Sequence, residues 1–329
     1  MAQIFDFLPP GTGLLLAALT AFFFVILSGI FFLPFLHRLK YGQSIREEGP
    51  ASHQKKSGTP TMGGVMIVLG VVLATLLFAP PTATTLLALF IFLGHFALGF
   101  ADDYIKVVKK RNLGLRAYQK LAGQILIAGA TGAIARSVLG HDTSLWIPVL
   151  AETVDIGALY YVLIVFVLVG TSNAVNLTDG LDGLAAGTVA AAAAFYAALT
   201  YGSDAGLSVF SAGIIGACIG FLWYNHHPAR VFMGDTGSLA LGGALAAVAI
   251  LSRTELLLPV VGFVFFCEAL SVILQVVSFK TRGKRIFRMS PIHHHFELGG
   301  WSENRVVYTF WAVGAAAALL AWELAAPLL

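Results

Sequence analysis

The sequence predicts an all-α, polytopic integral membrane protein of about ten transmembrane helices, and three observations lead there. Of its 329 residues, 58% are hydrophobic and 11% are charged, against roughly 25% charged in soluble globular domains. Apolar runs recur at close to the spanning length of about 20 residues. The basic residues are distributed unevenly among the segments between those runs. Lipid is therefore the solvent that this composition suits.

The runs cover approximately 13 to 36, 61 to 79, 84 to 101, 118 to 138, 157 to 172, 184 to 201, 206 to 224, 236 to 251, 256 to 279 and 306 to 326. Each reads as one helix, because an unbroken apolar stretch of that length satisfies its backbone polar groups internally only as a helix. The first has no basic residue ahead of it, since the first Lys or Arg is Arg38; a cleaved signal peptide is not expected. The 35 glycines suit close helix packing in lipid. Cys218 and Cys267 both lie inside apolar runs and read as small buried hydrophobes. No linker or internal repeat divides the chain, so residues 1 to 329 read as a single domain. Its polar loops fall near 37–60, 102–117, 173–183, 225–235 and 280–305.

Under a ten-span arrangement 18 of the 20 Lys and Arg lie on one face, and only Arg136 and Arg253 lie opposite. The positive-inside rule makes the rich face cytoplasmic and puts both termini outside. Asp102, Asp103, Asp179, Asp182 and Asp235 fall on the same face, each at or near the end of a span. A charged residue at a helix end often only marks where lipid stops, but five acids gathered beside the lysines point to a shared site.

In "FADDYIKVVKK" (100–110), Asp102 is followed at i+4 and i+8 by Lys106 and Lys110. A helix continuing past the membrane would carry them on one face, either as an ion-paired cap or as a metal-binding acid beside phosphate-binding cations. In "NLTDGLDGL" (176–184), Asn176, Asp179 and Asp182 recur every third residue, on one edge of any helical turn, with glycines that let the backbone approach a ligand. In "VFMGDTGSLALGG" (231–243), Thr236 or Ser238 suits the start of a helix whose N–H groups favour an anion. Asp235 stands there among small residues, as a ligand to a hard cation does. The segment from Lys280 to Met289 interleaves basic and apolar residues, as in an amphipathic stretch on anionic headgroups. His293, His294 and His295 suit imidazole donors to phosphate better than zinc, because neighbouring side chains diverge. Carboxylates without cysteine ligands fit magnesium, and nothing matches a Walker loop or a dinucleotide fingerprint.

"GTPTMGG" (58–64), "FADDYIK" (100–106), "NAVNLTDGLDGLA" (173–185), "VFMGDTGSLALGG" (231–243) and "MSPIHHHFE" (289–297) together resemble, in order and across nearly the whole chain, the bacterial phospho-N-acetylmuramoyl-pentapeptide transferase family. That family belongs to the polyprenyl-phosphate hexose-1-phosphate transferases. The resemblance implies a ten-helix, multi-pass enzyme of the bacterial inner membrane, dimeric and dependent on Mg2+. It would carry phospho-MurNAc-pentapeptide from its UDP carrier to undecaprenyl phosphate, with no nucleic acid as partner. By the same resemblance Asp235 would bind the magnesium, with Asp102 and Asp103 as the other acids of the reaction centre. Lys56, Lys106 and Lys110 would meet phosphates or substrate. Asn176, Asp179, Leu181, Asp182 and Asn225 would line the nucleotide side, Phe232 would stack on uracil, and Ser238, His293 and His294 would complete the polar pocket.

Two other readings stand beside it. A sister enzyme transferring GlcNAc-1-phosphate to the same lipid shares this chemistry, although "PIHHHFE" leans toward the muramoyl enzyme. A secondary transporter would need ionisable groups inside the spans. Only His95 and Glu268 lie well inside them, which makes a poor relay.

Overall fold

The computed structural model describes residues 11–38, 56, 58–109 and 113–328. Every apolar run becomes helical: α1 (Thr12–Arg38), α2 (Gly64–Phe78), α3 (Ala83–Val108), α4 (Ala117–Ser137), α5 (Leu159–Thr178), α6 (Leu184–Leu199), α7 (Ala205–Asn225), α8 (Gly234–Leu251), the short α9 (Leu258–Val261) leading into α10 (Phe263–Arg282), and α12 (Glu303–Ala325). Among the described residues seven of these are long and apolar enough to cross a membrane, namely α1, α3, α5, α7, α8, α10 and α12. The protein is thus all-α in its membrane part and multi-pass.

α8 is the centre of the bundle. Its 18 residues run from Gly234 to Leu251 and from Thr236 onward all are buried, because α3 and α5 flank it while α2 and α6 also reach it. A helix apolar on all sides belongs in such a position. α1 lies against α7 at Gly216 and Gly220, where any Cβ would overlap the backbone of Ala18 and Phe22; two glycines four apart let helices meet this closely in lipid. α1 turns large apolar groups outward instead, Phe31 being 78% exposed, as a lipid-facing helix does.

The structure refines the sequence reading or departs from it at several places. α3 continues past its apolar run to Val108, so that Asp102 and Lys106 share one helix, and α5 continues to Thr178 rather than 172. The run from 256 to 279 is broken at Gly262, after α9. Between α4 and α5 an antiparallel hairpin pairs β1 (Ser144–Ile147) with β2 (Glu152–Asp155). The stretch after Arg282 is a loop: Gln275 Oε1 accepts from the N–H groups of Ile286 and Phe287 at 2.9 and 3.0 Å, and Ser278 Oγ donates to Lys284 O at 2.9 Å. It then enters the six-residue α11 (Ile292–Glu297).

Candidate active site

Four separated segments meet where α3 and α5 end and α4 and α8 begin. Asp102 and Asp103, in the last turns of α3, are both buried. Asp102 Oδ2 pairs with Lys106 Nζ at 2.6 Å and its Oδ1 with Lys120 Nζ of α4 at 3.0 Å, and Oδ1 also accepts from Leu115 N at 2.7 Å. Asp235, in the first turn of α8, receives Lys120 Nζ at 2.5 Å and Lys106 Nζ at 3.3 Å on Oδ2. Its Oδ1 accepts from Asn176 Nδ2 at 3.0 Å, and Asn176 also donates to Ser238 Oγ at 2.8 Å. Three carboxylates thus face two ammonium groups.

α8 is not capped by its own Thr236 or Ser238. Asp103 Oδ2 accepts from both Thr236 N, at 2.8 Å, and Thr236 Oγ1, at 2.6 Å, so the anion at this helix start is a carboxylate from α3. Ser238 Oγ donates back to Gly234 O at 2.9 Å. Gly234 has φ +73°, and a Cβ there would overlap Asp103 Oδ2; only glycine lets the acid reach the helix end. Upstream, "GTPTMGG" and "VFMGD" are laced together by the backbone: Phe232 N donates to Pro60 O at 2.8 Å, and Gly63 N and Gly64 N donate to Phe232 O and Met233 O at 2.9 Å each. This pairing fixes half-buried Phe232 beside the start of α8.

The 176–184 segment is the hub. Of Asn176, Asp179 and Asp182 only Asn176 lies on α5; the helix ends at Thr178, so Asp179 and Asp182 lie in the following turn rather than on one helical edge. Burial holds the Asp179 carboxyl well above the usual carboxylate range, with Asp235, Asp103 and Asp182 adding like charge, against a hydrogen bond from Gly234 N–H. Asp182 points the other way, into a second network. Lys56 Nζ bridges Asp182 Oδ1 at 2.7 Å and Glu303 Oε1 at 2.5 Å. His227 Nδ1 lies 3.0 Å from Asp182 Oδ2, which also accepts from Ala229 N at 3.0 Å. Leu181 is buried beside α12, and Asn225 joins this side by accepting from Gly183 N at 2.9 Å and donating to Val231 O at 2.9 Å.

His293 lies against Gly180 of the hub. It is fully buried, with Nδ1 at 3.0 Å from Glu268 Oε1 of α10, while His294 Nδ1 lies 2.8 Å from Glu297 Oε2. His95, the other ionisable group inside a span, faces Ile91 O at 2.9 Å in a packed helix contact. Lys110 lies outside the described residues. Sequence reading did not place Lys120, His227 or Glu303 in the site, and it took Thr236 only as a helix cap. Lys120 alone had a signal, a lysine just inside a span at the basic face.

One oxygen from each of Asp102, Asp103 and Asp235 lies within 4.8 Å of the other two. These hard donors suit magnesium, and the ammonium groups now bridging them mark the same place as one that attracts a cation. Ligand atoms of Asp182, His227 and Glu303 are equally close, and there Lys56 Nζ bridges the two acids.

The fold and this cluster define a membrane-embedded transferase: residues 83–253 match the family model of glycosyl transferase family 4. Residues 56–68 match signature 1 of phospho-N-acetylmuramoyl-pentapeptide-transferase. The chain is 58% identical over 312 residues to the phospho-N-acetylmuramoyl-pentapeptide-transferase of Heliobacterium modesticaldum, covering 92% of this chain and 95% of that one. It is 56% identical to the enzyme of that name from Geobacillus kaustophilus, over 94% and 97% of the two chains, and 55% identical to that of Bacillus subtilis, over 93% and 96%. The chain belongs to the phospho-N-acetylmuramoyl-pentapeptide transferases, an enzyme family of glycosyl-1-phosphate transferases.

Proposed function

We propose that the protein transfers phospho-MurNAc-pentapeptide from UDP-MurNAc-pentapeptide to undecaprenyl phosphate, giving lipid I and UMP for peptidoglycan synthesis. The observation that carries this is the convergence of Asp102, Asp103 and Asp235 with Lys106 and Lys120 at one end of an apolar bundle. A water-soluble diphosphate and a phosphate on a long lipid can meet only where bilayer and water meet. Phosphoryl transfer asks chiefly for positioning and charge neutralisation, which this set supplies.

In this reading the cluster faces the cytoplasm of the inner membrane, ten spans put both termini outside, and the chain acts as a single domain and a homodimer. Asp235 holds the magnesium, with Asp102 and Asp103 beside it; when bound, the ion neutralises charge on the diphosphate. Lys106 and Lys120 leave their carboxylates for phosphate oxygens. Phe232 stacks on uracil, and Lys56, Asn176, Asp179, Leu181, Asp182, Asn225, Ser238 and His294 shape the nucleotide side, with Lys110 near the phosphates. An oxygen of the lipid phosphate attacks the sugar-linked phosphorus, the bridging P–O bond breaks, and UMP leaves with its electron pair. The second pKa of a phosphate monoester is near 6, so much of the acceptor carries no proton at pH 7. Asp102 takes that proton when one is present.

Purified protein offered UDP-MurNAc-pentapeptide or UDP-GlcNAc, each with undecaprenyl phosphate, tests the assignment. Lipid-linked product from the muramoyl substrate alone is expected. Product from UDP-GlcNAc alone would give the site to the sister reaction.

A further inference from the structure

Glu268 is the one acid in α10 and is fully buried. Burying a carboxylate for packing alone is costly, so its place calls for a partner, and the partner is His293. Glu268 Oε1 and His293 Nδ1 are 3.0 Å apart. With the carboxylate as acceptor, Nδ1 donates, and the other ring nitrogen, Nε2, is left on the far side of the ring. Nε2 has no hydrogen-bond partner among the described residues. It lies directly behind Gly180, where any Cβ would overlap it.

Gly180 sits between Asp179 and Leu181 at the apex of the hub, and the rest of that turn is anchored from elsewhere: Asp182 N donates to Glu303 Oε1 at 2.8 Å, Gly183 N to Asn225, and Trp311 Nε1 to Gly183 O at 3.2 Å. The three heavy atoms that would lie nearest a Cβ at Gly180 all belong to the His293 ring. We propose that Glu268 is a positioning residue for the nucleotide-sugar side of the site: it fixes the angle and tautomer of His293, whose ring sets the height of the turn carrying Asp179, Leu181 and Asp182. Glu268 touches no substrate and acts only through that ring. This rests on the function proposed above and deepens it.

The test compares Glu268→Leu, which removes the acceptor, with Glu268→Gln, which keeps one, and with Gly180→Ala, which pushes the turn off the ring from the other side. UMP release is measured while each substrate is varied in turn. Glu268→Leu should raise KM for UDP-MurNAc-pentapeptide by about tenfold or more and leave KM for undecaprenyl phosphate within about twofold, the first change being about 1.4 kcal/mol. Glu268→Gln should stay within about threefold of the wild type, and Gly180→Ala should reproduce the selective rise. The double variant Glu268→Leu/Gly180→Ala should be no worse than the worse single one, because both act on one contact. Equal rises in both KM values, a Gln variant as damaged as the Leu variant, or additive losses would overturn the proposal. If Glu268→Leu does not give folded protein, Gly180→Ala decides by the same split. A wild type that releases no UMP would instead sink the functional reading.

Discussion

Replacing Lys120 by Met removes the ammonium group that bridges Asp235 Oδ2 at 2.5 Å and Asp102 Oδ1 at 3.0 Å. Lys106 remains, at 2.6 Å from Asp102 and 3.3 Å from Asp235, so three carboxylates would face one cation. At about 3 Å and an effective dielectric constant of about 20, one such contact is worth roughly 5 kcal/mol gross. Solvent reaching the lysine, which is 21% exposed, and the surviving Lys106 both reduce that. The catalytic loss is better scaled on single donors that stabilise charge developing in a transition state, about 2.7–4 kcal/mol, or about 10²- to 10³-fold in kcat. The same change removes a competitor for the carboxylates, so half-saturation by magnesium should fall to lower concentration while turnover drops. Lys120→Arg keeps the charge and should recover part of the turnover. The assay is UMP release at saturating substrates over a magnesium titration. A Met variant within about threefold of wild-type turnover, or one needing more magnesium, would refute the reasoning.

Phe232→Ala should raise KM for the nucleotide sugar by about 2- to 10-fold, the worth of one aromatic contact, with KM for the lipid phosphate unchanged; steady-state kinetics on each substrate checks it. Thr236→Val loses the hydroxyl that donates to Asp103 at 2.6 Å and should cost about 1.5–3 kcal/mol of stability, seen as a lowered melting temperature in detergent. Asp179 holds its proton above the usual range, so the folded state binds that proton more tightly than the unfolded one, and stability from this group falls as pH rises through its folded pKa. Asp179→Asn should therefore gain stability relative to the wild type as pH is raised; a gap between their melting temperatures that does not move with pH would argue against it.

The apolar runs were legible because a long stretch without charge has one structural outcome in lipid, and each became a helix. Their ends were not. Asp102, Asp103 and Lys106 read as residues of a helix that could continue past its apolar run, and α3 does run through them to Val108, with their charges satisfied by one another and by Lys120 and Thr236 from α4 and α8. The hairpin of β1 and β2 was invisible for a different reason: two four-residue strands leave no periodicity to read. Among site residues, an acid beside glycines announces itself, whereas Glu303 and His227 carry no local mark. They join Asp182 only because α12 and the turn after α7 fold back onto the hub. The capping of α8 was misassigned to its own Thr236 and Ser238, since no sequence rule foresees a carboxylate arriving from 133 residues away.

The most direct test of the account is UMP release from UDP-MurNAc-pentapeptide by purified wild type and Asp235→Asn, each with and without undecaprenyl phosphate and magnesium. Wild-type release that requires both additions, and that falls by orders of magnitude in Asp235→Asn, is the expected result. A stoichiometric burst of UMP from the wild type without the lipid would contradict direct attack by the lipid phosphate, and an Asp235→Asn variant with undiminished, magnesium-dependent turnover would contradict the assignment of the site.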